Sequence, residues 1–310
     1  MSDENTTTPE INYEMTFIRK FRWILFLFCF FVLLLLTKIP VAKTIDNAIY
    51  GSLNFGRCQI GISNYEFNFF PLPHLNFQNI NIPSECLGAR NNQSIGLKDL
   101  QVYFRGPSFS PLGPQFKVET AFRDNPLGFI LASDFSFKTL KLLIKENDID
   151  LGKFSDFIPQ VSLNGVVKTD LLLELENFNL SELNINLQSN SLVLPAQNIN
   201  GFALQEMPLK NLLLTANSEN GKKLNVKKLV IGDEKSPIRS EFSGVINLNT
   251  RNIASSSLNL GGEIAFADSF INDPSMFLLK NYMQQFDKKD NFYQIQITGA
   301  LSFPNISSNR

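Results

Sequence analysis

Histidine and tryptophan each occur once in this 310-residue chain, and cysteine three times. A single histidine, His74, rules out a histidine-rich metal centre. No C-x-x-C pair is present, so thioredoxin-type and zinc-finger chemistry have no sequence basis. No G-x-x-x-x-G-K-[ST] or G-x-G-x-x-G loop offers a phosphate cradle, and no G-x-S-x-G turn offers a nucleophile. Charge is nearly balanced, 28 basic against 29 acidic residues, so no broad field favours nucleic acid. The acidic stretch "NDIDLGKFSD" lacks the spacing of a calcium loop and reads as a turn before a short helix. Glu174 and Glu176 alternate with leucines, as on the wet side of a strand. These absences leave no enzyme, no cofactor and no metal site to expect.

Phenylalanine is abundant, at 29 residues, and much of it is concentrated near the N-terminus. Trp23 to Leu36 is an unbroken run of 14 apolar residues. A helix needs about 20 to cross a bilayer. Counting on through Thr37, Ile39, Val41 and Ala42 reaches that length if Lys38 extends to the interface. The sequence therefore predicts a cytoplasmic tail over 1–22, an anchor over 23–42 and an exported β-rich domain over 43–310. Trp23, Phe26, Phe28, Phe31, Leu34 and Leu36 are the anchor's apolar residues, and Arg19, Lys20 and Arg22 hold its start in the cytoplasm. The alternative is a cleaved signal peptide, disfavoured by the long preceding tail and the absence of an A-x-A site. Cys58 and Cys86 form a candidate disulfide in an oxidising compartment, and the sequence leaves their state open.

Beyond the anchor, alternation of period two dominates. Leu183, Ile185 and Leu187 share one face of a predicted strand, and "LKDLQVYF" and "MPLKNLLLTANSENGKKLNVKKLVIGD" follow the same rule. In "YEFNFFPLPHLNFQNINIP" alternation is interrupted at Pro71 and Pro73, placing this element at an edge or corner, and breaks again between Phe77 and Ile80, as at a bulge. One amphipathic helix is expected in "DPSMFLLKNYMQQF", with Asp273 as N-cap and Met276, Leu279, Met283 and Phe286 on one face. A shorter one is expected in "DLGKFSDFIP".

Glycines recur in register on the apolar face: Gly165, Gly244, Gly262 and Gly299, each with apolar residues two positions away. Such glycines permit tight curvature. The fold expected is mainly β: a transmembrane helix followed by a curved, extended antiparallel sheet, groove-like or sandwich-like, with one or two short helices. Ile264, Phe266, Ile297, Leu301 and Phe303 are the candidate groove face. The patterning serves equally a closed core and an open groove.

A short tail, one anchor and an exported β-rich region resemble the type II secretion system protein N family of Gram-negative bacteria. The resemblance is carried by residues 191–249, from "SLVLPAQNINGFALQEMPLK" to "SEFSGVINLN", and by the closing "DNFYQIQITGALSFPNI". "FNFFPLPHLNFQNINIP" is also similar to segments of AsmA-type envelope proteins. The first resemblance implies a non-enzymatic accessory component of a secretion machine, single-pass in the bacterial inner membrane with its C-terminal domain periplasmic. Its partners would be that membrane and other envelope proteins of the machine. The second implies a hydrophobic β-groove that binds or transfers lipids.

Overall fold

The computed structural model describes residues 54–55, 58–68, 74–83, 94–136, 138–157, 161–177, 179–199, 202–218, 220–249 and 255–308. The predicted tail and anchor over 1–42, and Cys86 of the candidate disulfide, lie outside the described residues. No helix among the described residues is long and apolar enough to cross a membrane.

The chain divides into two units, Met1–Gln59 and Ile60–Arg310. In the first, β1 (Asn54–Phe55) pairs with β2 (Cys58–Gln59). The second is mainly β, as the period-two pattern requires. Its first strands are β3 (Gly61–Asn68), β4 (His74–Ile82), β5 (Ile95–Phe109), β6 (Leu112–Phe122), β7 (Asn125–Ser133) and β8 (Thr139–Asp150). A 3-10 turn over Leu151–Phe157, where the second helix was expected, leads to β9 (Val166–Glu176) and β10 (Asn179–Leu194). A small hairpin of β11 (Gln197–Ile199) and β12 (Phe202–Leu204) precedes β13 (Met207–Ser218), β14 (Lys223–Ile231), β15 (Ile238–Asn247) and β16 (Ser257–Phe266). Helices α1 (Asp268–Ile271) and α2 (Phe277–Met283) then lead to β17 (Lys288–Lys289), β18 (Phe292–Ala300) and β19 (Phe303–Ser308).

Apart from the β11–β12 hairpin, these strands form one antiparallel sheet in near-sequential order, fifteen strands among the described residues. It begins at β3 and ends at β17 and β19, which both pair with β18, so it is an open meander rather than a closed barrel. Two of its turns have two residues each, both at positive φ: Arg123–Asp124 (46° and 62°) and Asp290–Asn291 (49° and 67°). That is the primed turn whose twist matches the strands it joins.

The register gathers apolar residues into rows on one face. One row runs Phe104, Phe116, Leu131, Leu142, Leu173, Leu183 across β5 to β10. The next runs Ile144, Leu171, Ile185, Ala216, Val226, Gly244, Leu260, Ile297 across β8 to β18. The opposite face is mixed: Ile130, Leu143 and Leu172 adjoin across β7 to β9, and Lys141 faces Glu174 across β8 and β9 with an Nζ–Oε2 distance of 3.5 Å. Glu176 is exposed, and so are Lys222, Lys223, Lys227 and Lys228 around the β13–β14 hairpin.

The glycines in these rows sit where strands come close. A Cβ on Gly244 would meet the Asn259 carbonyl oxygen at 2.3 Å, and one on Gly262 would meet the Phe242 ring at 2.4 Å. No side chain fits at either position. Asn79 takes a left-handed backbone (φ 51°), and Phe77 and Ile80 are both buried beside it, which explains the broken alternation there.

Candidate functional site

The apolar face is covered over one part and not over the other. Helix α2 forms as its spacing requires: the Asp273 carboxylate accepts from the Ser275 N–H, Pro274 starts the turn, and Met276, Met283 and Phe286 are buried. Met283 and Phe286 pack on Phe242 and Ile295, with Leu229, Ile264, Phe266, Leu279, Tyr293 and Ile297 around them. Phe266 also stacks on Phe270 of α1. This end of the sheet has an ordinary core.

A second core lies along the strand ends nearest the helices. Leu192, Leu194, Met207 and Leu209 are buried there, with Leu151, Leu163 and Phe270 against them. Between the cores and β5 the face is different. Leu131, Leu142, Ile144, Leu171 and Leu173 are only half-buried, and no helix of the described residues packs on them. Leu183 and Ile185 pack against a further core of Ala216, Leu224, Val226, Leu258 and Leu260, in which no helix residue takes part.

A cavity of about 480 Å³ lies against the other face of these strands. Its walls are two rows of that face, Leu143–Leu172–Asn184–Asn217 and Asp170–Asn186–Thr215 with Lys145, Glu146 and Lys227, and its floor is the strand backbone at Ile144, Leu171, Ile185 and Ala216 between them. The strands are irregular at both sides of it. The register slips between Ile144 and Asn147 on β8 and between Val226 and Leu229 on β14. Bulges of this kind bend a strand and increase its twist. Lys145 and Lys227, which line the cavity, stand in those two bulges. Asn217, also in the lining, has a buried Oδ1 with no hydrogen-bond partner among the described residues. An acceptor left so costs about 1–3 kcal/mol until a donor meets it.

The residues expected to form the groove face are placed as follows. Ile264, Phe266 and Ile297 lie in the core under α2. Leu301 is in the β18–β19 turn and Phe303 begins β19, at 45% and 83% exposure. The cavity residues Ile144, Leu171 and Ala216 were not singled out by the sequence. Their strands show alternation, but alternation does not distinguish a face under a helix from one left open.

His74 opens β4 and stacks on Tyr103, with ring centroids 5.0 Å apart. Among the described residues no three His, Cys, Asp or Glu side chains converge as metal ligands. Asp134, Asp233 and Asp273 are held below the ordinary carboxylate range, in each case first by a serine hydroxyl donating to them, from Ser136, Ser236 and Ser275. All three lie in turns or at a helix start, where such bonds fix the backbone. No family model matches the chain, and no curated protein or solved structure matches it.

Proposed function

We propose that this protein is a non-enzymatic envelope protein that holds acyl chains of lipids on the apolar face of its sheet. The observation that supports this most directly is the half-buried aliphatic surface of Leu131, Leu142, Ile144, Leu171 and Leu173, on which no helix of the described residues packs. Each methylene transferred from water to such a surface contributes about 0.8 kcal/mol. The surface is wholly aliphatic, which suits a long apolar ligand better than a polar substrate. In this reading residues 23–42 tether the protein to the bacterial inner membrane and the β-rich domain stands in the periplasm.

The test is photo-crosslinking in living cells, with a photoreactive amino acid at Ile144 or Ile185 and mass spectrometry of the adducts. Lipid adducts are expected at both positions and not at exposed Asn184, which neighbours Ile185 on the opposite face. Adducts confined to the chain itself would sink the reading. A charge on that surface, Leu173→Asp, should abolish the lipid adducts.

A role as an accessory component of a type II secretion system draws on a different feature. Strand β19 is exposed from Phe303 to Ser307 at one end of the sheet. An extended segment of another envelope protein can add to such an edge through main-chain hydrogen bonds. Crosslinks from Asn305 to a secretion-machine protein would favour that role.

A further inference from the structure

The end of the sheet that carries the β5–β6 and β7–β8 turns presents three large apolar side chains to solvent. Phe109 is 88% exposed, Phe135 76% and Leu112 63%. Phe109 and Leu112 oppose one another across the hairpin end. The second turn is held alongside the first: a Cβ on Gly113 would fall 2.0 Å from the Ser133 carbonyl oxygen. The side chains therefore project together from two joined turns. Exposed apolar groups gathered in one place mark a contact surface.

Two observations favour a lipid surface over a protein. First, the turns satisfy much of their own polarity. The Asp134 carboxylate accepts from Ser136 Oγ (2.6 Å) and from the N–H groups of Lys138 (2.8 Å) and Thr139 (3.2 Å), and the Ser110 N–H donates to Ser108 Oγ (3.3 Å). Unpaired backbone groups are what make entry into hydrocarbon costly, at several kcal/mol each. Second, the apolar face continues inward from the tip. Leu112, Pro114 and Phe116 occupy alternate positions of β6, hence one face, and Phe116 belongs to the row that ends at Leu183. Leu142 and Leu173 in that row stand two residues from Ile144 and Leu171 on the same face. Arg105 and Lys138, exposed on the same hairpins, are suited to lipid phosphates.

We propose that these two turns dip into the acyl region of a bilayer leaflet and that acyl chains reach the apolar face along the row behind them. The entry role rests on the acyl-chain reading above; the membrane contact does not.

The test uses the full chain with its single tryptophan removed (Trp23→Phe) and a new one placed by Phe109→Trp or Phe135→Trp. The protein is reconstituted in phosphatidylcholine vesicles that carry acyl-brominated lipid. Both tip tryptophans should lose most of their emission to bromine, whereas Phe277→Trp, on α2 at the opposite end of the sheet, should keep it. Unquenched tryptophans at 109 and 135 would overturn the membrane contact whether or not the apolar face binds lipid. Entry is read separately, by transfer of a fluorescent fatty acid from vesicles to the protein. The triple variant Phe109→Ser, Leu112→Ser, Phe135→Ser should slow transfer at least about tenfold while still binding the fatty acid from detergent solution. Transfer at the parent's rate would overturn the entry role.

Discussion

The two halves of the sheet are made from the same alternating strands and do different things with them. From β14 to β18 the apolar face is buried: α2 covers Phe242 and Ile295, and Leu224, Val226, Leu258 and Leu260 form a core with Ala216 in which no helix residue takes part. From β7 to β9 the same face continues in register, yet Leu131, Leu142, Ile144, Leu171 and Leu173 remain half-exposed. Part of the difference lies in an insertion. The chain between β16 and β18 holds two short helices, while the turns joining β5 to β8 have two to five residues. An amphipathic strand creates an apolar face, and what packs on it decides whether that face becomes a core or a surface that accepts something else.

The largest effect is expected in the closed half. Phe242→Ala should cost about 3–5 kcal/mol in denaturant unfolding, because the ring is buried against Met283 of α2 and Phe286 just after it. In the open half Leu171→Ala should cost less, about 1–2 kcal/mol, since its side chain is only half-buried. A fatty acid added during unfolding should stabilise the parent more than the Leu171→Ala variant. Equal costs at both positions, with no fatty-acid effect, would mean that the open half is filled by its own chain. The smallest effect concerns the turn at Asp134. Its carboxyl is held below the ordinary value, so its contribution is complete above about pH 4 and is lost as pH falls through the lowered value. Asp134→Ala should flatten that acid dependence without moving the unfolding midpoint of the closed half.

Much of the architecture was legible as period-two alternation, and α2 was legible because Asp273, Pro274 and the 3–4 spacing to Phe286 are local signals. The cavity was not. Ile144 and Leu171 look like any strand residues, and what distinguishes them is a register slip on β8, set by how it pairs with β9 and carried by no turn or glycine signal. The turn at Arg123–Asp124 was equally silent, since it carries no glycine and takes its positive φ from the strands it joins. The glycines were legible as a pattern, but their partners were not. Gly262 answers to Phe242 on the neighbouring strand, a contact visible only once β15 and β16 are paired.

The near-sequential order of the strands has a consequence for how such a chain is made and how it changes. Nearly every strand from β3 onward pairs with the one just before it and the one just after it. A chain emerging gradually into a compartment can then add each strand to an edge already in place, without waiting for distant residues. The same arrangement makes the length of the sheet adjustable. A hairpin gained or lost at an edge alters only its neighbour, so the span of the apolar face can follow the size of what it holds.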